Sequence, residues 1–180
     1  MRQQLENTIT QVTGSAPVRF RPMGGGCVGD VSLVTLEDGR AIVAKSGDPG
    51  SNLDLEGFML TYLREHGGLA VPDILFASDG LLLMSLIETE GGITESVEID
   101  AADKLAALHG VGADAFGFER DTVIGGLHQP NPQTARWVEF FRDQRLLYMA
   151  RQALDAGRMK AALMDRLEKL AGRLSEWLAE

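Results

Sequence analysis

The 180-residue sequence is poor in cysteine, histidine and basic side chains, and it contains no long apolar run. Its one cysteine, Cys27, excludes an intramolecular disulfide and any zinc site built on cysteine pairs. The three histidines, His66, His109 and His128, do not have the spacing of metal ligands. Seventeen basic residues against 26 acidic ones give a formal net charge of −9. This charge disfavours nucleic acid as a partner.

Other missing features concern the location of the protein. No apolar run approaches the roughly 20 residues of a membrane-spanning helix, so no membrane partner is predicted. The first residues lack the apolar stretch of a secretory signal, which predicts a cytoplasmic location. Hydrophobic residues (44%) and charged residues (24%) occur at ordinary frequencies for a globular protein. The length suits one well-cored domain or two small lobes.

Local patterns divide the chain into a strand-rich half and a helical half, with the boundary near Glu88. The first half predicts a short helix over 3–12 and a helix from Asn52 or Asp54 to about His66. Its predicted strands cover 31–36, 41–45, 71–77 and 80–87, and Asp38-Gly39 forms a hairpin turn. The second half predicts helices over 100–109, 133–156 and 159–178, the last with an apolar stripe that suits core packing or a partner helix. The fold class is therefore α+β: an N-lobe (1–88) with a small antiparallel sheet and one inserted helix, then a mostly helical partial C-lobe (89–180).

A glycine-rich segment precedes the first hairpin. Gly24, Gly26 and Gly29 fit G-x-G-x-x-G, a pattern that two nucleotide-binding folds use. A dinucleotide-binding fold requires a helix directly after the glycines. Here alternating β-branched residues lead into a hairpin, which favours the kinase arrangement, in which the loop joins two antiparallel strands over the phosphates. All six loop residues are predicted to contact nucleotide: Gly24, Gly25, Gly26, Cys27, Val28 and Gly29.

A kinase-type loop requires a lysine on the next strand and a carboxylate to orient it. Lys45 ends Ala-Ile-Val-Ala-Lys, close to the V-A-I-K form, and is predicted to reach the α- and β-phosphates. Glu56 lies in the first turns of the following helix, where the partner of this lysine belongs. Either residue alone would be an ordinary surface feature, whereas the ordered set is hard to explain by chance. Further along, Met84 is predicted beside the base, with Ser85, Leu86 and Ile87 forming the connection where backbone groups meet adenine.

Several segments together resemble the fructosamine kinases, also called ketosamine 3-kinases. The likeness lies in Gly24–Cys27, in Leu105–His109 (L-A-A-L-H) and above all in the ordered residues between 116 and 146: Phe116-Gly117-Phe118, Ile124-Gly125-Gly126, Gln129-Pro130-Asn131, Trp137–Phe141 and Arg145-Leu146. The resemblance implies a protein-kinase-like fold, similar to that of aminoglycoside phosphotransferases and choline kinases. It also implies ATP and Mg²⁺ as cofactors. The implied substrate is a ketoamine, a glycated amine or protein, phosphorylated on a sugar hydroxyl in deglycation repair.

The sequence departs from this superfamily in one respect. The H-G-D-x-x-x-x-N-type loop, which supplies the base and a metal ligand, has no counterpart here, and the last helix is the one that precedes it in the family. No catalytic or metal-binding residue is therefore predicted within the chain, and the 180 residues alone are expected to be inactive. Two alternatives remain open: a non-catalytic nucleotide-binding or interaction module, and a related phosphotransferase of the aminoglycoside or choline type.

Cys27 has two interpretations. It is either a small residue tolerated in a glycine turn or a redox-active thiol, since backbone N–H groups and Lys45 would favour the thiolate. In the family that the sequence resembles, the loop cysteine is associated with intermolecular disulfides. A homodimer linked through Cys27 under oxidation is therefore predicted.

Overall fold

The computed structural model describes residues 2–24, 29–89 and 91–178. These residues form two compact units, Met1–Val111 and Gly112–Glu180. The helix that ends at His109 therefore belongs to the first compact unit. The predicted division into an N-lobe (1–88) and a C-lobe (89–180) concerns function and stays a prediction.

The first unit contains a five-stranded antiparallel sheet. Its strands are β1 (Pro17–Pro22), β2 (Asp30–Leu36), β3 (Ala41–Ser46), β4 (Ile74–Ser78) and β5 (Leu81–Ser85). They lie in the order β1-β2-β3-β5-β4, so β3 is the central strand. Three helices complete the unit: α1 (Arg2–Thr13), α2 (Leu53–Gly67) and α3 (Glu95–His109).

The two faces of this sheet have different roles. Because side chains alternate along a strand, Val34, Ile42 and Leu83 point to one face, where they pack with Ile9 of α1 in the main core. The opposite face carries Val43, Lys45 and Leu82, and α2 packs there against β4 and β5. Shifting the register by one residue would move Lys45 into the apolar core.

The second unit combines a small hairpin with helices. Strands β6 (Thr122–Ile124) and β7 (Leu127–Gln129) pair antiparallel. One continuous helix follows, consisting of α4 (Trp137–Phe140), a π-helical segment (Phe141–Leu147) and α5 (Tyr148–Asp155). Helix α6 (Ala161–Ala171) packs on it through a core of Leu147, Ala150, Met164 and Ala171, and a 3₁₀ turn follows at Leu174–Glu176.

Several predicted element boundaries were wrong. Helix α3 begins at Glu95 rather than residue 100, because Thr94 supplies an N-cap whose hydroxyl accepts the Val97 N–H. The helix predicted from 133 begins at Trp137, and the one predicted to 178 ends at Ala171. The hairpin of β6 and β7 was not foreseen, although Gly125 and Gly126 at its turn both have positive φ.

The apolar side chains of the last two helices are only partly covered. Met159 and Leu167 pack against the α5–α6 core, whereas Leu163 and Leu170 are about two-fifths exposed. Within the described residues, no helix is long and apolar enough to cross a membrane.

Candidate nucleotide-binding site

The predicted lysine and glutamate form an ion pair in the first unit. Lys45 Nζ lies 2.8 Å from Glu56 Oε1 and 2.6 Å from Oε2, so it donates to both carboxylate oxygens. The Lys45 side chain is only 11% exposed, whereas that of Glu56 is 36% exposed. An ammonium has three N–H donors, so Glu56 leaves one for a ligand. The pair therefore fixes the position of a cation that still has a free hydrogen-bonding group.

Close packing of α2 on the sheet makes this contact reachable. A Cβ at Gly57 would lie 2.9 Å from Ala77 Cβ and 3.1 Å from Leu82 Cδ1, closer than side chains normally approach. Glycine at this position lets the α2 backbone lie directly against β4 and β5. Its neighbour Glu56 is thereby brought within reach of Lys45 on the adjacent strand, β3.

The glycine-rich segment joins β1 to β2, and no helix follows it. The Met23 N–H donates to the Val31 carbonyl (2.8 Å), which continues the pairing of these antiparallel strands. Beyond its chain neighbours, no atom of the described residues lies within 4 Å of where a Cβ on Gly24 would be. Gly25, Gly26, Cys27 and Val28 lie outside the described residues, so their contacts with phosphate and the Cys27 disulfide stay predictions.

Gly29, the last residue of the segment, lies directly beside Lys45. Its φ is +78°, and an added Cβ would be 2.6 Å from the Ser46 carbonyl oxygen and 3.6 Å from Lys45 Cγ. Only glycine combines this backbone conformation with so close an approach. Because residue 29 is glycine, the end of the loop can lie directly next to the lysine.

An apolar surface lies on the same face of the sheet as Lys45. Val43 is paired with Leu33 of β2 and with Met84 of β5, so the three side chains are cross-strand neighbours. This arrangement places Met84 two residues along the sheet from the lysine. Contact between Met84 and adenine stays a prediction.

The connection after β5 is only partly available to a ligand. The Ser85 N–H donates to the Asp73 carbonyl (2.9 Å), and the Ser85 hydroxyl accepts the Asp73 N–H (2.9 Å). Leu86 and Ile87 follow beyond the end of the strand. Of the three predicted connection residues, these two are therefore better placed than Ser85 to present backbone groups to adenine.

Candidate metal ligands are few among the described residues. They contain no group of three His, Cys, Asp or Glu side chains close enough to hold a metal ion. Asp30 and Asp48 line a cleft of about 370 Å³ beside Gly29, but they have no third carboxylate with them. The chemistry that can be read from this part of the chain is binding and orientation of an anion by Lys45.

Asp79 lies between the predicted strands 71–77 and 80–87 and was not predicted as a site residue. In the structure its carboxylate accepts the N–H groups of Gly50 (2.7 Å) and Asn52 (3.0 Å), just before α2. These two hydrogen bonds hold the pKa of Asp79 below its ordinary value. The signal that would have found it is an aspartate in a tight β-turn opposite a loop that leads into a helix. Asp79 also lines a cavity of about 780 Å³ on the α1 side of the sheet.

The strongest family resemblance lies in the second unit. Its residues connect the β6–β7 hairpin to the following helix through hydrogen bonds and ring contacts. Arg145 donates to the Pro130 carbonyl (2.8 Å) and to the Asn131 side-chain oxygen, and its guanidinium lies 4.5 Å from the centre of the Phe140 ring. Phe116 and Thr134 exchange backbone hydrogen bonds of 2.9 and 2.8 Å. These contacts hold the hairpin and the helix together.

A glycine segment between antiparallel strands, a strand lysine and a helix glutamate together define a lobe of the protein-kinase-like fold. Within that class, the family model described as fructosamine kinase matches residues 1–179. The chain belongs to the fructosamine kinase family.

Individual relatives agree with this assignment. The chain is 28% identical over 158 residues to the chloroplastic protein-ribulosamine 3-kinase of Arabidopsis thaliana, covering 83% of this chain and 46% of that protein. It is 28% identical over 182 residues to a probable ketoamine kinase of Synechocystis sp., covering 94% of this chain and 61% of that protein. A solved candidate fructosamine-3-kinase from Thermobifida fusca superposes with a TM-score of 0.82 at 26% identity, covering 98% of this chain and 63% of that structure. The chain thus spans between about half and two thirds of the length of these relatives.

Proposed function

We propose that the first unit binds ATP, and that the protein it represents is an ATP-dependent kinase acting on the sugar moiety of ketoamines. The observation that carries the ATP proposal is the ion pair between buried Lys45 and partly exposed Glu56, beside the end of the glycine segment. Glu56 orients the ammonium, and the remaining N–H of Lys45 donates to a phosphate oxygen. Charge-assisted hydrogen bonds of this kind are about twice as strong as neutral ones.

The arrangement of the sheet supports an order for the bound nucleotide. Phosphates would lie between Gly29 and Lys45, and the base would pack on the apolar surface formed by Leu33, Val43 and Met84. Leu86 and Ile87 would offer backbone groups to the edge of the base. The proposed phosphate and base positions lie along one face of the sheet, because residues paired across antiparallel strands point to the same face.

The names of the relatives support the ketoamine substrate. Ribulosamine 3-kinase and ketoamine kinase are both sugar-amine kinases. Because the chain spans less than two thirds of these proteins, we assign phosphoryl transfer to the whole protein. The residues that would act as base and Mg²⁺ ligands belong to the part of the relatives that this chain does not match. We expect the 180 residues alone to bind nucleotide without turnover. The proposed location of the protein is the cytoplasm.

Calorimetric titration with ATP tests this proposal, using the wild type, Lys45→Met and a control, Lys104→Met. Lys104 is also paired with a carboxylate, Asp100, but lies on exposed α3. We expect Lys45→Met to weaken ATP binding about tenfold or more, the loss of one charge-assisted hydrogen bond, and Lys104→Met to leave binding unchanged. Equal ATP affinity for the wild type and Lys45→Met would refute the proposed site.

The substrate proposal needs a separate experiment. A segment corresponding to the C-terminal part of the Synechocystis relative is fused after residue 178, and ADP release is measured with a ribulose- or fructose-modified lysine, an aminoglycoside and choline. Release with the modified lysine alone would support the ketoamine kinase. Release with the aminoglycoside or choline alone would assign the protein to the related phosphotransferases.

A further inference from the structure

The turn between β4 and β5 is joined to the loop before α2 by four hydrogen bonds. The two carboxylate oxygens of Asp79 accept the N–H groups of Gly50 and Asn52, at 2.7 and 3.0 Å. The Asp79 carbonyl accepts the N–H of Leu53, the first residue of α2, at 3.0 Å. The neighbouring Gly80 carbonyl accepts the Gly47 N–H, also at 3.0 Å. Asp79 contributes three of these four bonds.

Helix α2 has no side-chain cap of its own. Asn52, at the N-cap, makes no cap hydrogen bond and instead donates to the Gly50 carbonyl (2.9 Å). It has φ of 55°, the only positive φ of a non-glycine residue in the described part of the chain. A helix start leaves several N–H groups without partners and carries a partial positive charge. Asp79 meets this need from a different element, with a negative charge and an acceptor for Leu53.

The first turn of α2 connects the residues held by Asp79 to the Lys45–Glu56 ion pair. The Glu56 N–H donates to the Asn52 carbonyl (3.1 Å), so one turn of helix separates the residue held by Asp79 from the residue that holds Lys45. A displacement of Asn52 would carry Glu56 with it, because helical hydrogen bonds make the turn move as a unit. The charged groups on the adjoining segments are Asp48 in the loop, Asp54 in α2 and Arg2 across the cavity.

We propose that Asp79 is a positioning residue for the nucleotide site: by holding the start of α2, it keeps Glu56 against Lys45. The proposal rests on the proposed ATP site and extends it to a residue that touches neither the ion pair nor the ligand. In this arrangement the Asp79 carboxylate supplies two of the four hydrogen bonds that tie the segment before α2 to the β4–β5 turn. Loss of that carboxylate lets α2 shift and leaves Lys45 less well aimed.

A double-mutant cycle tests the route through Glu56. ATP dissociation constants are measured for Asp79→Asn, Glu56→Gln and the double variant. We expect Asp79→Asn to weaken binding about fivefold or more in the wild-type background, at the lower end of couplings between sites, and less than twofold when Glu56 is already Gln. An equal loss in both backgrounds, or no loss in either, would overturn the proposal.

Asp38→Asn is the matched control. Asp38 is a turn aspartate in the other hairpin, its carboxylate also accepts a backbone N–H (Arg40, 3.0 Å), and it lies on the β2–β3 turn away from α2. We expect wild-type ATP affinity for this variant and partial recovery of affinity in Asp79→Glu. An equal loss of affinity in Asp38→Asn would show that any turn aspartate matters and would count against a specific role for Asp79.

A readout without nucleotide separates this proposal from the proposed function. The rate at which an amine-reactive ester acylates Lys45 is followed by peptide mass spectrometry, with folding checked by circular dichroism. We expect faster acylation of Lys45 in Asp79→Asn, since loosening Glu56 exposes the ammonium, and the wild-type rate in Asp38→Asn. If the wild type fails to bind ATP, the proposed function is wrong. The role of Asp79 is then decided by the acylation rate, and an unchanged rate overturns it.

Discussion

Each unit of the protein contains a half-buried or buried cation that joins two elements, and the two cations are satisfied in opposite ways. Lys45 in the first unit joins β3 to α2 through a carboxylate, Glu56. Arg145 in the second unit joins the hairpin to the π-helical segment through uncharged acceptors, Pro130 and Asn131. In the described part of the chain no carboxylate pairs with Arg145, and burial lowers the pKa of its guanidinium below the ordinary value.

This difference distinguishes a cation that can bind a ligand, Lys45, from a cation that stabilises the structure, Arg145. Lys45 keeps an N–H donor and a partly exposed partner, so a ligand can be added without breaking the ion pair. The Arg145 guanidinium is fixed by backbone and amide oxygens and by the Phe140 ring, so it contributes by holding the hairpin to the helix. A cation that supports structure should be costly to remove in stability, whereas a cation that binds ligand should be costly in affinity.

The largest expected effect is on the stability of the second unit. Arg145→Met should lower the free energy of unfolding by about 3 kcal/mol, because the acceptors on half-buried Pro130 and buried Asn131 lose their donor. Urea unfolding followed by circular dichroism measures this change. Arg142→Met, on the same segment but in an ion pair with its neighbour Asp143, should change stability by less than about 1 kcal/mol. Equal effects of the two substitutions would remove the distinction between support and surface pair.

The next effect concerns the loop end beside Lys45. Gly29→Ala should destabilise the first unit by about 2 kcal/mol, from strain at positive φ together with the clash with the Ser46 carbonyl. It should also weaken ATP binding. Gly39 has a similar φ, +86°, but an added Cβ would meet no atom of the described residues within 4 Å beyond its chain neighbours. Gly39→Ala should therefore cost only about 1 kcal/mol and leave ATP affinity unchanged. Thermal unfolding with calorimetric ATP titration compares them, and identical losses would contradict a special role for the Gly29 approach.

Lys45→Met should show the reverse pattern to Arg145→Met. Its effect on the free energy of unfolding should stay below about 1 kcal/mol, because Glu56 is 36% exposed and can be solvated by water. Its loss of ATP affinity should be the larger change. The same urea and calorimetric measurements apply. A stability loss as large as that of Arg145→Met would identify Lys45 as a structural cation too.

The smallest expected effect is a change in the pH dependence of stability, and it occurs only at acidic pH. The pKa of Asp79 is lowered by the backbone N–H groups of Gly50 and Asn52, so its contribution is fully present above the unfolded pKa of about 3.9. The contribution is lost as pH falls through the lower folded value. From pH 8 to pH 5 the stability curves of the wild type and Asp79→Asn should therefore be parallel, with the wild type more stable by a constant amount. The two curves should converge only below about pH 4, and a difference in slope near pH 6 would argue against this assignment.

Much of the first unit could be predicted because its signals are local. The Asp38-Gly39 turn, the alternation in β2 and β3 and the glycine segment each specify their own conformation, and together they predicted Lys45 and Glu56 as partners. The second unit was predicted less well. Strands of three residues are too short for a periodic pattern, so β6 and β7 were missed. In the first unit, the Thr94 cap of α3 was overlooked. No local signal distinguishes a π-helical segment from ordinary helix, since its hydrogen bonds depend on what the helix packs against.

The sequence by itself determined the fold class, the family and the order of glycine segment, strand lysine and helix glutamate, because these depend on residue type and spacing along the chain. Tertiary structure alone decided that Gly57 brings α2 close enough for Glu56 to reach Lys45, that Asp79 holds the start of that helix, and that Arg145 is a support. These contacts join residues 11 to 29 positions apart through space. Their existence depends on distances between packed elements, which no pattern within a single element specifies.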